Sequence, residues 1–175
     1  MSPDATEDQI RLMVRFLLED RFKMVSHFET KEADGWVLTV AKGGPKIHEF
    51  KDGDPAPPFP DWVGGKPADR AAWDGVISAT LPEVGVAAVT GRRVSMLQLC
   101  GYLERSLGTV VWDETGMKGN YYIAFRYARE DAPMDADAPP LNAALQESLG
   151  LKIEKRKGPA EMLVIDHIEK EPTEN

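Results

Sequence analysis

The stretch Leu103–Gly108, which reads Leu-Glu-Arg-Ser-Leu-Gly, returns as Leu-Gln-Glu-Ser-Leu-Gly at Leu145–Gly150. The two copies share the pattern L-x-x-S-L-G and lie 42 positions apart. A looser third copy stands at Leu18–Lys23. Each copy ends a stretch with helical spacing, and a glycine at the last position suits a helix C-terminal cap. The copies therefore predict three repeats of one structural unit.

The residues before each copy predict a helix. Ser95 and Gln98 form a capping-box pattern, as do Thr6 and Gln9, because the hydroxyl and the amide can each satisfy a free backbone N–H. A third helix is expected to begin near Pro139 and Pro140, since proline suits a first helical turn. Apolar residues spaced for one helical face follow the first two caps: Ile10, Met13, Val14 and Leu17, then Met96, Leu99, Cys100, Leu103 and Leu107.

The residues after each copy alternate with the period of a β-strand. Asp34-Gly35 and Lys157-Gly158-Pro159 predict turns that fold two of these stretches into hairpins. The unbroken apolar run Met162–Ile165 predicts a central strand that is covered on both sides. Trp36, Leu38 and Val40 are expected to lie on one face of one strand. Tyr121, Ile123, Phe125 and Tyr127 are expected to lie on one face of another.

Together these patterns predict an α+β fold of three helix–β-hairpin units, with the helices packed on a mainly antiparallel sheet. The first unit is expected at residues 1–42. A Pro/Gly/Trp-rich loop follows at 43–83, with a strand near Val84–Val89. Residues 84–175 hold the other two units, in one shared core or two adjoining cores.

The loop carries Phe59, Trp62 and Trp73, which argue against a plain flexible linker. These aromatic residues are either pinned onto the body or used for binding, and the cost of exposing tryptophan favours pinning. Tyr122 and Arg126 fall on the strand face opposite the predicted core face, so we expect that face to make exposed contacts.

Composition excludes several classes of protein. The chain has 175 residues and a net charge of −8, which argues against a nucleic-acid partner. Its single cysteine, Cys100, excludes an intrachain disulfide and a cysteine-based zinc site. No apolar run reaches the ~18–20 residues of a membrane span, so we expect no direct membrane insertion. We expect no metal and no cofactor.

Histidine chemistry is the main catalytic alternative. Asp166 and His167 are adjacent, but neighbouring residues in a strand point to opposite faces and cannot form a dyad. Each would need another partner. A hydrolase that uses His48 or His167 with nearby carboxylates such as Asp166 is therefore kept as an alternative to a non-catalytic protein.

Five stretches carry a family resemblance: Leu17–Lys23, Ala41–Lys46, Asp113–Gly119, Ala144–Lys152 and Val164–Lys170. Together they resemble an uncharacterised domain family that is expanded in soil acidobacteria. Members usually begin with a signal peptide and an extra N-terminal region, and some are fused behind BlaR-type metallopeptidase sensors. The family ends near the Pro-Thr-Glu-Asn motif at 172–175, which predicts a native C-terminus and a shortened N-terminus.

The element order expected for residues 84–168 is also similar to the short N-terminal domain of secretins and TonB-dependent receptors. Both resemblances imply an extracytoplasmic or periplasmic location in the cell envelope. The chain shows no signal peptide, so a cytoplasmic location stays open.

The resulting functional prediction is a non-catalytic binding or sensor-like module. It is expected to recognise a peptide, a protein or a small ligand by strand addition or apolar docking. The binding residues are expected to be Phe59, Trp62, Trp73, Tyr122 and Arg126. A module that self-assembles into a homo-oligomer through its strand edges is the second alternative.

Overall fold

The computed structural model describes residues 7–51, 53–55, 58, 60, 62 and 74–173. These residues form helices and strands in mixed order, and α3 continues into a π-helical turn. The elements are α1 (Glu7–Phe22), β1 (Val25–Val40), β2 (Glu49–Phe50), β3 (Ile77–Glu83), β4 (Val86–Val94), α2 (Met96–Leu107), β5 (Val111–Asp113), β6 (Asn120–Ala128), α3 (Leu141–Ala144), the π-helical turn (Leu145–Leu149) and β7 (Leu151–His167).

The chain divides into two compact units. The described part of the first, here called the terminal unit, comprises residues 7–33 and 159–173. The second, here called the central unit, is formed from residues 34–158. Both long strands, β1 and β7, contribute residues to each unit.

The strands form two sheets. The four-stranded sheet has the order β2–β6–β4–β3 and is antiparallel at each pairing. The three-stranded sheet has the order β5–β1–β7, and β5 runs parallel to β1, with Trp36 opposite Val111. The Ala41 N–H donates to the Gly150 carbonyl (2.9 Å) where β1 ends and β7 begins, as antiparallel neighbours require. The predicted α+β class with mainly antiparallel sheets is confirmed.

The core of the central unit lies between α2, the third helix and the inner face of the four-stranded sheet. Residues of β1, β5 and β7 complete it. Its buried members are Leu38, Ala87, Val89, Val94, Met96, Leu99, Cys100, Tyr102, Leu103, Val111, Tyr121, Ile123, Phe125, Tyr127, Ala144, Leu145, Leu149, Leu151 and Ile153.

Two sequence patterns place these core residues correctly. Tyr121, Ile123, Phe125 and Tyr127 alternate as buried residues along β6, as the period of two predicted. Trp36, Leu38 and Val40 share the core side of β1, with Leu38 fully buried and the two others packed against the core.

The helix caps explain why the repeat recurs. Ser95 and Gln98 form the predicted capping box: the Gln98 N–H donates to Ser95 Oγ (3.3 Å), and the Ser95 N–H donates to Gln98 Oε1 (2.8 Å). Gly108 and Gly150 end their helices in the left-handed conformation, with φ of 69° and 67°. In the third copy Lys23 takes that conformation, with φ of 50°. Thr6 of the other predicted capping box lies outside the described residues.

The three copies end in similar backbone but differ in burial. Leu103 and Leu145 are fully buried in the core of the central unit. Leu18 belongs to the terminal unit and is only half-buried. The interior is therefore shared by two of the three copies.

The predicted hairpins are wrong. β1 continues through Asp34-Gly35 without a turn, and β7 continues through Lys157-Gly158-Pro159. β5 and β6 do not pair with each other, because they belong to different sheets. Pro159 is tolerated because β7 is an edge strand, where a missing N–H removes no ladder bond on the open side.

Gly35 and Gly158 do not form turns, and their lack of a Cβ allows close packing. A Cβ at Gly35 would lie 2.6 Å from Val110 Cγ1, 2.7 Å from the Val110 carbonyl oxygen and 2.8 Å from the Trp112 ring. A Cβ at Gly158 would lie 3.3 Å from the same ring. The indole of Trp112 therefore lies against both glycines, on neighbouring strands of one sheet.

The predicted burial of the terminal unit is also wrong. Ile10, Met13, Val14 and Leu17 share a helical face as predicted, but they are 39–57% exposed. The run Met162–Ile165 was predicted to be covered on both sides. Met162, Leu163 and Ile165 are 45–52% exposed in β7. An apolar pattern gives the face of an element, but it does not say what covers that face.

The strand predicted near Val84–Val89 is β4, displaced by a few residues, and β3 precedes it. The two strands join through a tight turn at Val84-Gly85, where Gly85 has φ of 74°. Residues 43–83 were predicted to form a loop, and β3 (Ile77–Glu83) was missed. A bulge between Thr80 and Glu83 accommodates Pro82 at the sheet edge.

Replacing Gly35 by alanine tests the packing of Trp112. We expect Gly35→Ala to lower the free energy of unfolding by about 1–3 kcal/mol, because backbone and ring atoms must move to admit the methyl group. Urea unfolding followed by circular dichroism measures the change.

Gly43→Ala is the matched control, because a Cβ at Gly43 meets nothing within 4 Å and its φ is not positive. Its free energy of unfolding should stay within about 0.5 kcal/mol of wild type. Equal values for the two variants would show that Gly35 is not tightly packed.

Candidate functional site

An open groove of about 1390 Å³ lies within the central unit. Its lining comes from β1, β3, the end of α2, the segment after β6, the start of α3 and β7. Ligand pockets in proteins usually have volumes of about 300–1,000 Å³, so this groove has room for an extended molecule.

Tyrosine and apolar side chains form the inner wall of the groove. Tyr102 of α2 and Tyr127 of β6 are buried, and their hydroxyl oxygens lie 3.0 Å apart. Burial raises the pKa of Tyr102 well above its usual range, so this hydroxyl stays neutral. Leu107, Leu141 and Ile153 add apolar surface. The wall therefore offers apolar area and hydroxyl groups instead of charge.

Cationic side chains surround this wall. Three of them are held by carboxylates: Arg129 by Asp131 (3.0 Å), Arg156 by Glu114 (2.6 Å) and Lys157, beside the groove, by Asp34 (3.6 Å). Such exposed pairs contribute little to stability.

Arg105 and Lys155 differ from these cations. In the part of the chain that the structure describes, neither has a carboxylate within ion-pair distance. The Lys155 ammonium lies 5.4 Å from the centre of the Trp36 ring, a cation–π distance. Arg105 lies in the last turn of α2 and is exposed at the groove. Both cations are therefore available to an anionic ligand.

The predicted binding residues lie elsewhere or outside the described residues. Tyr122 and Arg126 occupy the face of β6 opposite Tyr127, which lines the groove. The Tyr122 hydroxyl donates to the Pro58 carbonyl (3.0 Å), and Arg126 Nη2 donates to Glu83 Oε1 (2.6 Å). Trp62 is half-buried in a turn, while Phe59 and Trp73 lie outside the described residues.

Asp166 has a partner that the sequence did not reveal. His27 Nδ1 lies 2.7 Å from Asp166 Oδ2, and His27 Nε2 lies 3.1 Å from Glu29 Oε1. The Lys31 ammonium holds the other Glu29 oxygen at 2.6 Å. These residues belong to the terminal unit. From the sequence, the His27–Asp166 contact could have been found only by pairing residues 25–33 with residues 159–167 as antiparallel strands. The predicted hairpins assigned these strands to other partners.

The geometry around His27 does not suit a general base. Both ring nitrogens face carboxylates, so the doubly protonated imidazolium is favoured and no nitrogen is left to accept a substrate proton. The pKa of His27 is raised, mainly by the hydrogen bond to Asp166 and next by that to Glu29. The pKa of Glu29 is lowered, first by Lys31 and then by His27.

The two histidines that were predicted as catalytic alternatives, His48 and His167, stand in different settings. His48 belongs to the central unit, where its Nε2 is 3.9 Å from Asp54 Oδ2, beyond hydrogen-bond reach. Its ring packs edge-on against Phe50, with centroids 5.1 Å apart. His167 belongs to the terminal unit, at the end of β7, and is exposed.

The described residues contain neither a reactive cysteine nor a group of metal-binding side chains. Cys100 is buried, and burial raises its pKa to about 12, which keeps the thiol protonated and unreactive. Residues 7–51, 53–55, 58, 60, 62 and 74–173 contain no group of three histidine, cysteine or acidic residues that could hold a metal ion. None of the helices described there is long and apolar enough to cross a membrane.

The charge state of His27 should depend on Asp166. Because the folded-state pKa of His27 is raised, its stabilising effect is complete below the ordinary value of 6.5 and disappears as the pH rises through the raised value. We expect Asp166→Asn to move the pKa of His27 down towards 6.5, as measured by NMR titration of the imidazole.

Glu169→Gln serves as the control, because it removes one carboxylate from the same unit and Glu169 makes no side-chain contact with His27. It should leave the pKa of His27 nearly unchanged. An equal decrease in both variants would show a general charge effect instead of the Asp166 hydrogen bond.

Comparison with known proteins identifies a family but no activity. No curated protein and no solved structure gave a significant match to the chain. A family described as proteins of unknown function (DUF3738) matches residues 1–168, which is nearly the whole sequence. The chain therefore belongs to this uncharacterised domain family.

Proposed function

We propose that the chain is a non-catalytic binding module whose ligand is an extended molecule with acidic and apolar groups, such as an acidic peptide segment. One observation carries the proposal. The groove of the central unit combines an apolar, tyrosine-containing wall with two cations that have no carboxylate partner among the described residues.

Charge supports an acidic ligand. The net charge of the whole chain, −8, disfavours an acidic ligand in general, so the attraction has to come from the groove itself. Arg105 and Lys155 offer the opposite charge at the groove. Arginine at such a site can hold a carboxylate through two parallel hydrogen bonds, which adds direction to the attraction.

Shape supports an extended ligand with apolar groups. The groove is open to solvent, and its volume of about 1390 Å³ exceeds the ~300–1,000 Å³ of most ligand pockets. The Trp36 ring lies beside Lys155, so an apolar side chain of the ligand can pack near the indole while an acidic neighbour meets the ammonium. Edge strand β3 also lines the groove through Ala79, Thr80 and Leu81.

We also propose a sensor-like role in the cell envelope. This part of the proposal is based on the resemblance to a family whose members usually carry signal peptides and are sometimes fused to sensor peptidases. In that setting the groove would report the presence of an extracytoplasmic peptide. Fusion of the natural open reading frame to a reporter that is active only outside the cytoplasm tests this location, and an inactive reporter would contradict it.

Peptide titration tests the binding proposal. The probes are a hexapeptide in which glutamate alternates with leucine and phenylalanine, and the same peptide with lysine in place of glutamate. We expect the glutamate peptide to shift the NMR signals of Trp36 and Arg105 in a saturable way. The lysine peptide should not, because it would place like charges together.

Two variants sharpen this test. Arg105→Glu and Lys155→Glu should each weaken binding of the glutamate peptide about tenfold, or ~1.4 kcal/mol. Lys118→Glu is the matched control, since Lys118 is an exposed lysine of the central unit outside the groove. Equal weakening by all three variants, or no saturable shift with either peptide at millimolar concentration, would contradict the proposal.

A further inference from the structure

Strand β7 presents an unpaired edge at the groove of the central unit. The three-stranded sheet has the order β5–β1–β7, so among the described strands β7 pairs with β1 on one side and with none on the other. Lys155 and Arg156 of this strand line the groove. An edge strand offers backbone N–H and C=O groups that can pair with another extended chain.

The hydrogen bonds of β1 show which of its residues face β7. The Trp36 N–H donates to the Val110 carbonyl (3.0 Å), on the β5 side. The Leu38 carbonyl accepts from the Glu114 N–H (2.9 Å) on the same side. Because the backbone groups of successive strand residues point to opposite sides, the even-numbered residues of β1 face β5 and the odd-numbered ones face β7.

The direction of the β7 backbone follows from the first bond between these two strands. The Ala41 N–H donates to the Gly150 carbonyl (2.9 Å), so even-numbered residues of β7 face β1. The odd-numbered residues of the central unit therefore direct their N–H and C=O groups away from β1. These groups of Ile153, Lys155 and Lys157 are named the β7 edge.

The first residue of the β7 edge already has a substitute for a neighbouring strand. The Ile153 N–H donates to Asn142 Oδ1 (3.1 Å), and the Asn142 side chain belongs to α3 and lines the groove. Gln146 Nε2 donates to the same oxygen (3.2 Å) and holds it in place. In the described chain, no second strand pairs with the next two residues of the edge, Lys155 and Lys157.

The side chains at the β7 edge favour an acidic partner strand. Lys155 and Lys157 are two positions apart, so their side chains lie on the same face of β7. A paired strand places residues that are also two positions apart opposite these ammonium groups, and opposite charges there are stabilising. Lys157 lies 3.6 Å from Asp34, but the two side chains are 75% and 83% exposed, so this pair is weak and leaves room for a second carboxylate.

A second copy of this chain fits the β7 edge less well. Antiparallel pairing of two such edges about Arg156 would place Lys155 of one copy opposite Lys157 of the other, and like charges directly opposite are destabilising.

The other sheet edges within the described residues suit an added strand less well. β2 has two residues and β5 has three. β3 is interrupted by Pro82 and a bulge, which are features that protect an edge from pairing. The β7 edge is therefore the most suitable place for an extended chain to pair.

We propose that the acidic peptide binds as a fourth strand of the β5–β1–β7 sheet, antiparallel to β7 and paired with Lys155 and Lys157. This inference rests on the proposed function and adds the sequence that the ligand needs, which is two acidic residues separated by one residue. Antiparallel pairing is chosen because it is slightly more stable than parallel pairing. The pairing ends before Pro159, the next odd-numbered residue, which has no N–H.

Backbone N-methylation of the peptide tests the pairing. The probe is the hexapeptide Glu-Leu-Glu-Phe-Glu-Leu. In the antiparallel arrangement its glutamate N–H groups point to β7, and its leucine and phenylalanine N–H groups point away. We expect N-methylation of the third residue, glutamate, to weaken binding about tenfold, and N-methylation of the fourth residue, phenylalanine, to weaken it less than about threefold.

The outcomes separate this inference from the proposed function. Saturable binding that both methylated peptides weaken equally would overturn strand pairing and leave binding in the groove intact. A larger effect at the phenylalanine would overturn the antiparallel direction. No saturable binding of the unmethylated peptide would contradict the proposed function and this inference together.

Amide hydrogen exchange tests the β7 edge in the full chain. Without peptide, the amides of Lys155 and Lys157 should exchange faster than those of Glu154 and Arg156, which face β1. Saturation with the unmethylated hexapeptide should slow exchange at Lys155 and Lys157 about tenfold or more. Unchanged exchange at both residues under saturation would overturn the proposal.

A proline variant removes one N–H of the edge. Lys157→Pro and Lys157→Ala both remove the ammonium, but only proline also removes the N–H, and an edge strand tolerates proline. We expect Lys157→Pro to bind the hexapeptide about fivefold more weakly than Lys157→Ala. Circular dichroism checks that both variants are folded. Equal affinity of two folded variants would show that this N–H does not bind the peptide and would overturn the proposal.

Discussion

The contact between the Trp112 ring and Gly35 and Gly158 is the constraint on which the central unit depends. Because neither glycine has a Cβ, the indole can lie against two neighbouring strands at once. β5, which carries Trp112, then joins β1 as a parallel third strand and places Val111 in the core. The segment between β5 and β6 therefore links the two sheets and does not close a local hairpin, so strands of both sheets contribute to one core.

The same constraint positions the groove. Trp36 follows Gly35, and Lys155 precedes Gly158 by three residues, so the aromatic and cationic groups stand on strands that Trp112 helps to fix. On the opposite side, the hydroxyl pair of Tyr102 and Tyr127 connects α2 to β6 (3.0 Å). Residues on regular elements are held more firmly than residues on loops, so the shape of the groove is preformed.

Local features of the fold could be predicted from the sequence, and long-range ones could not. Ser95 with Gln98, Gly108 and Gly150 gave correct helix ends because capping depends on neighbours within four residues. Gly35 was mistaken for a turn because its reason, a ring contributed by Trp112, lies far along the chain. The groove and the His27–Asp166 pair, separated by 139 positions, had no local signal for the same reason.

The backbone conformation of Lys23 affects how readily helix α1 unfolds locally. It takes the left-handed backbone that glycine takes in the other two copies, at a cost of roughly 1–2 kcal/mol. Its ammonium donates to the Asp20 carbonyl (3.0 Å), which offsets part of that cost. Amide protons of α1 should therefore exchange with solvent deuterium sooner than those of α2, whose end carries Gly108 and whose inner face is buried. The copy without glycine therefore ends the helix that is expected to lose its protection against exchange first.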